Sequence, residues 1–244
     1  MKLGKTVVGV LWVLLIPGFV FAKEDFEGQT VDSGSFGVFM NGHRVATETF
    51  TIQQNNKGSL VTSEFKSEKG LTKALQSSEL ELAPNGDLRK YEWKEVLPEK
   101  AVATVTPNDQ FLNEEVTSGD SGKPLEQPFL LPASTSILDD YFFVDREVLL
   151  WRYLAIGCRQ EKGQVQCPLH QRTRFGTLNP HSRSSASATM EFAGREKVMV
   201  HDVQRELGRF DLKSDAGDWS FWVDDQYKLV RIVIADQNTE VVRD

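Results

Sequence analysis

The chain has 244 residues, 40 % of them hydrophobic, and a formal net charge of −7. That hydrophobic content excludes a disordered chain. The acidic balance excludes nucleic-acid binding and docking on anionic lipid, because either needs a clustered positive footprint that the sequence lacks.

Lys2 and Lys5, an uncharged run over 7–21 and the ending Val20-Phe21-Ala22 predict an export signal, residues 1–22, cleaved after Ala22. The run is shorter than the roughly 20 residues of a spanning helix, and Pro17-Gly18 interrupts it, so no transmembrane anchor is expected after processing. No cysteine follows Ala22 to carry a lipid. The mature chain, 23–244, is therefore expected as a single β-rich domain in the periplasm or secreted. Loss of Lys2 and Lys5 takes its charge from −7 to −9.

A polar lead over 23–34 precedes alternation at Phe36, Val38 and Met40, and Asn41-Gly42 then signals a tight hairpin into 44–53. Further strands are expected over 60–66, 75–82, 88–97, 101–105 and 110–117, separated by turn-forming Asn, Gly, Pro and Asp. A proline-punctuated extended stretch follows over 123–132.

The period then changes. Ile137, Tyr141, Val144, Val148, Trp151 and Ala155, widened by Leu138, Phe142 and Leu149, are spaced as one face of a helix over 136–155. Ser136 is its expected cap, with Asp139 and Asp140 in the first turn. Cys158 and Cys167 flank a reversal at Glu161-Lys162-Gly163, and in an exported protein this predicts a local disulfide. Strands resume over 188–192, turn at Ala193-Gly194-Arg195, and continue over 197–203 and 206–213. The final hairpin sets Trp219, Phe221 and Val223 against 229–235 across Asp224-Asp225-Gln226. The predicted fold class is mainly β: a strongly curved antiparallel meander, half-barrel or barrel-like, enclosing one long helix.

Chemistry is sparse. Gly119-Asp120-Ser121-Gly122-Lys123-Pro124 resembles the nucleophile segment of chymotrypsin-like serine proteases, with Lys123 in place of a glycine, but the only upstream histidine, His43, sits at a hairpin turn. His43, His170, His181 and His201 share no ligand spacing, so no metal site and no cofactor are expected. Glu114-Glu115, Asp139-Asp140 and Asp224-Asp225 read as a solvated face, a helix start and a turn. The aromatics Phe142, Trp151, Trp219, Phe221 and Trp222 are either core packing or the wall of an apolar cavity between sheet and helix.

The segments 36–50 and 219–234, the latter with Trp-Ser-Phe-Trp-Val-Asp-Asp and then Lys-Leu-Val-Arg-Ile, resemble periplasmic proteins related in fold to the bacterial lipoprotein-localisation carriers. The resemblance implies a non-catalytic half-barrel whose concave face holds a lipid, an acyl chain or a partner's apolar segment. Its implied ligand-binding residues are Phe142, Trp151, Trp219, Phe221 and Trp222. The competing readings are a structural or protein-interaction module with a filled core, whose partner would be an envelope protein, and a serine hydrolase using Ser121.

Overall fold

The computed structural model describes residues 26–68, 73–119, 122–161, 164–215 and 217–244. The expected signal segment and Ser121 lie outside them, as does Lys162-Gly163 at the tip of the cysteine hairpin. The strands are β1 (Gln29–Met40), β2 (His43–Asn55), β3 (Gly58–Ser67), β4 (Leu75–Leu82), β5 (Leu88–Leu97), β6 (Ala101–Asn108), β7 (Phe111–Ser118), β8 (Leu125–Phe129) and β9 (Ser136–Ile137). After the helix α1 (Val144–Gly157) come β10 (Arg159–Glu161), β11 (Gln164–Gln166), β12 (Arg172–Asn179), β13 (Ser184–Val200), β14 (Val203–Ser214), β15 (Gly217–Val223), β16 (Leu229–Ile234) and β17 (Thr239–Arg243).

All but β10 and β11 form one open 15-stranded sheet, ordered β8-β7-β6-β5-β4-β3-β2-β1-β17-β16-β15-β14-β13-β12-β9. Two antiparallel meanders meet where the first strand pairs with the last, Val38 opposite Val241. Among the described strands only β9 pairs in parallel, Ser136 and Ile137 opposite Thr177 and Leu178.

Chain connectivity imposes curvature. Laid flat at about 4.8 Å per strand, the outermost of the 15 strands would be about 67 Å apart. Residues 130–135, which join β8 to β9, reach about 25 Å at full extension, so the sheet curves until its two ends approach. The chain then crosses the inner face as α1.

The Asn-Gly hairpin forms as the sequence predicts, with φ of 50° at Asn41 and 78° at Gly42, the left-handed pair a type I′ turn demands. The expected turn at Ala193-Gly194-Arg195 is instead a β-bulge: pairing shifts between Phe192 and Gly194, and β13 runs straight on. Gly194 takes φ of 114°, which lets the strand bend without ending. The reversal falls at His201-Asp202, both left-handed.

The helix starts later than the spacing from Ile137 suggests. Ser136 and Ile137 are held in the sheet, Asp139 is drawn into a buried hydrogen-bond network, and Ser136 caps nothing. The first-turn acids are Asp145 and Glu147. Cys158 and Cys167 are bonded, and β10 pairs with β11 as the hairpin reading requires. Among the described residues no helix is long and apolar enough to cross a membrane.

Candidate functional site

Helix α1 presents unlike sides to the sheet. Toward β13–β17 it is pinned. Glu147 accepts the Leu229 amide at 3.2 Å and lies 3.8 Å from the Arg243 guanidinium. Arg243 in turn pairs with Asp32 at 2.6 Å, and Lys228 reaches the other Asp32 oxygen at 2.9 Å. Burial and the neighbouring Asp32 carboxylate push Glu147 up to about 9, so it is a neutral acid at pH 7. The Trp151 indole donates to the Tyr227 carbonyl at 2.9 Å, and the Tyr153 hydroxyl donates to Gln171 and accepts from Phe192. At the C-terminal end the disulfide ties Cys158 to a hairpin that Tyr227 holds by a 2.8 Å bond to Val165.

The helix start is capped from the sheet. Phe143, the N-cap, makes no side-chain cap. Glu48 on β2 takes that role, accepting the Phe143 amide at 2.7 Å and the Val144 amide at 3.2 Å while Ser63 donates to it at 2.7 Å. Burial raises Glu48 to about 7. Arg146, also buried, donates to the Asp139 and Phe142 carbonyls and lies 4.5 Å over the Trp219 ring.

Toward β2–β5 the helix leaves space. A cavity of about 270 Å³ lies between Val148, Leu149, Trp151 and Ala155 on α1 and a floor in which Ile52, Val61 and Leu80 are cross-strand partners. Leu82, Leu88 and Ile137 complete the apolar wall. Pro84, Asn85 and Ala155 are exposed at its rim, whereas Asp145 and Thr135 are buried in its lining. Asp145 Oδ1 and Thr135 Oγ1 have no hydrogen-bond partner among the described residues.

A second polar feature closes the curved sheet. His181, in the loop between β12 and β13, bonds Asp139 through Nδ1 at 2.7 Å and Gln76 on β4 through Nε2 at 2.9 Å. It stacks on Trp93 of β5 with ring centres 4.1 Å apart. The Tyr91 hydroxyl donates to the same Asp139 oxygen at 2.7 Å. With both ring nitrogens engaged by Asp139 and Gln76, the geometry is a latch between distant strands and offers His181 no serine or cysteine partner. The described residues contain no group of metal-ligating side chains.

Of the five aromatics singled out from sequence, Trp151 alone lines the cavity. Phe142 and Phe221 are fully buried in the main core, and Trp219 packs beside it against Arg146. Trp222 alternates with Phe221 and faces the other side of the sheet, in a small cluster with Val200, Leu207, Val230 and Val242. Two acids read as solvent-facing or helix-starting are instead internal: Glu114 and Asp139 are both 0 % exposed. The cavity floor was foreshadowed only by strand alternation, and the inward turn of Asp139, Asp145 and His181 carried no local signal. No family model matches the chain, and no curated protein and no solved structure matches it either.

Proposed function

We propose that the protein is an exported, non-catalytic carrier or binding protein, with a half-barrel sheet enclosing α1 and an apolar ligand seated between that helix and strands β2–β5. The observation that carries this reading is the cavity of about 270 Å³, walled by Ile52, Val61, Leu80, Val148 and Leu149, close to the lower end of the size range of ligand sites. Polar residues, among them Gln54, Asn85, Thr135, Asp145 and Arg152, are interspersed in its lining and supply groups that can orient a ligand. The ligand class is a lipid or other molecule with an aliphatic or aromatic body. The helix is fixed on its opposite side by Glu147 and Tyr153, which keeps the space from collapsing.

The test is titration with the neutral fluorescent probe N-phenyl-1-naphthylamine. Saturable binding at one site per chain is expected. Ala155→Trp, at the exposed outer end, should weaken it at least about tenfold by blocking entry without disturbing the core. Trp222→Ala, on the other face, should leave it unchanged. Absence of saturable binding, or binding indifferent to Ala155→Trp, would overturn the reading.

A further inference from the structure

The cavity between α1 and β2–β5 changes character from one rung of the sheet to the next. Ile52, Val61 and Leu80 are cross-strand partners, and all three are buried. Two residues along each strand, on the same face, the next rung is Gln54, Ser59 and Leu82. These residues also line the cavity, but Gln54 is exposed and Ser59 and Leu82 are half-buried. The mouth therefore lies at this second rung, beside the exposed Pro84 and Asn85 of the β4–β5 turn.

Beyond the mouth is a second space. A polar cleft of about 1100 Å³ begins at the same Ser59 and Leu82, which wall both volumes, and continues over Gln53, Asn56, Lys57, Glu81 and Arg89. Amide, carboxylate, ammonium and guanidinium groups stand together there, so the cleft is suited to no single sign of charge. Hydroxyl groups, each able to donate and to accept, can pair with every one of these partners.

Size assigns the two volumes different roles. A methylene packed at interior density fills roughly 30 Å³, about the share of one water in the liquid. The cavity of about 270 Å³ therefore holds a tail of about nine carbons and leaves no room for a sugar-sized head as well. The cleft has that room, and a head left there keeps its hydroxyls among polar partners instead of burying them unpaired.

Resting on the carrier reading above, we infer that the ligand is a single-tailed amphiphile of about eight to ten tail carbons with a hydroxyl-bearing head. The tail lies between α1 and the rung of Ile52, Val61 and Leu80, and the head projects past Ser59 into the polar cleft. A longer tail extends through the mouth, so its extra carbons gain nothing from the apolar wall.

Calorimetric titration of the full exported chain with octan-1-ol and with the hexyl to dodecyl glucosides, each below its micelle-forming concentration, tests this. Octyl glucoside is expected to bind at least as tightly as octan-1-ol, because its sugar stays outside the cavity. Along the glucoside series affinity should rise about fourfold per methylene up to about nine carbons and then level. The double variant Gln53→Ala/Arg89→Ala, in the cleft and outside the cavity lining, should weaken octyl glucoside at least about fivefold and leave octan-1-ol unchanged. Binding of octan-1-ol without octyl glucoside would overturn the head-out arrangement and leave the carrier standing. An absent or unselective effect of the double variant would overturn the cleft as the seat of the head, and affinity still climbing at dodecyl glucoside would overturn the tail length. Saturable binding of N-phenyl-1-naphthylamine with no binding of octan-1-ol or any glucoside would overturn the amphiphile alone. Failure of every probe would remove the carrier reading as well.

Discussion

At Glu114 one residue shows how a strand converts sequence neighbours into opposites. Glu115 faces out, whereas Glu114 faces in beside Leu112 and Val116, fully buried, with neither carboxylate oxygen hydrogen-bonded among the described residues. Burial raises it to about 7 from 4.5. A folded-state value above the unfolded one means that the folded chain holds the proton more tightly. The associated stability is complete below pH 4.5 and is lost as pH rises through about 7. Glu114→Gln removes this loss, and at pH 8 the variant should be more stable than the parent by about 1–3 kcal/mol, with the difference vanishing near pH 4.5. Thermal melts of both proteins across that range check it; a variant less stable at pH 8 would refute the assignment. The variant's pH slope should be smaller than the parent's rather than absent, because Glu48 is also raised to about 7. Nothing in the pair Glu114-Glu115 distinguishes a solvated face from an inward acid. What decides it is register: Glu114 continues the cross-strand row Val61, Leu80, Tyr91, Val105, and that row exists only once the strands are paired.

Among the elements, strands were far more legible than the helix boundary. The turns at Asn41-Gly42 and Asn56-Lys57 and the final aromatic hairpin declare themselves because turn chemistry is local. The start of α1 is not local. The sequence has Ser136 with two acids following, a plausible cap, yet the first helical amides are satisfied by Glu48, which is 95 residues away from Phe143. The true stripe of Val148, Trp151 and Ala155 was readable and turns out to face the cavity. Glu48→Ala leaves the amides of Phe143 and Val144 buried without their acceptor and should cost about 2–4 kcal/mol, with loss of helical circular dichroism ahead of the global transition. Glu48→Gln retains a carbonyl acceptor and should cost less than half as much. Equal costs for the two variants, measured by urea denaturation, would show that the carboxylate charge rather than the cap is what matters.

For the whole molecule the decisive strand is the last one. Residues 239–243 follow a 3-10 turn, are short, and alternate too briefly to stand out, so no periodicity in the sequence marks β17. Yet β17 lies between β1 and β16 and joins the two meanders into one sheet. Its Arg243 does the same for the side chains. It bonds Asp32 from β1 at 2.6 Å, donates to the Leu229 carbonyl of β16 at 3.2 Å, and covers the Phe36 and Phe50 rings at 5.8 and 5.2 Å. Because Glu147 is neutral at pH 7, Asp32 is the anion that Arg243 and Lys228 share. Arg243→Ala leaves Asp32, 3 % exposed, with Lys228 as its remaining cation and strips the cover from two stacked rings, at an expected cost of about 3–5 kcal/mol. Arg243→Lys keeps the charge but not the fork that spans Asp32 and Leu229, and should recover only part of it. Among the described residues the two meanders share no strand pairing other than β1 with β17, so the loss should appear as hydrogen exchange rising at β1, β16 and β17 together. If exchange rose in one meander alone, the last strand would not be the seam on which the sheet depends.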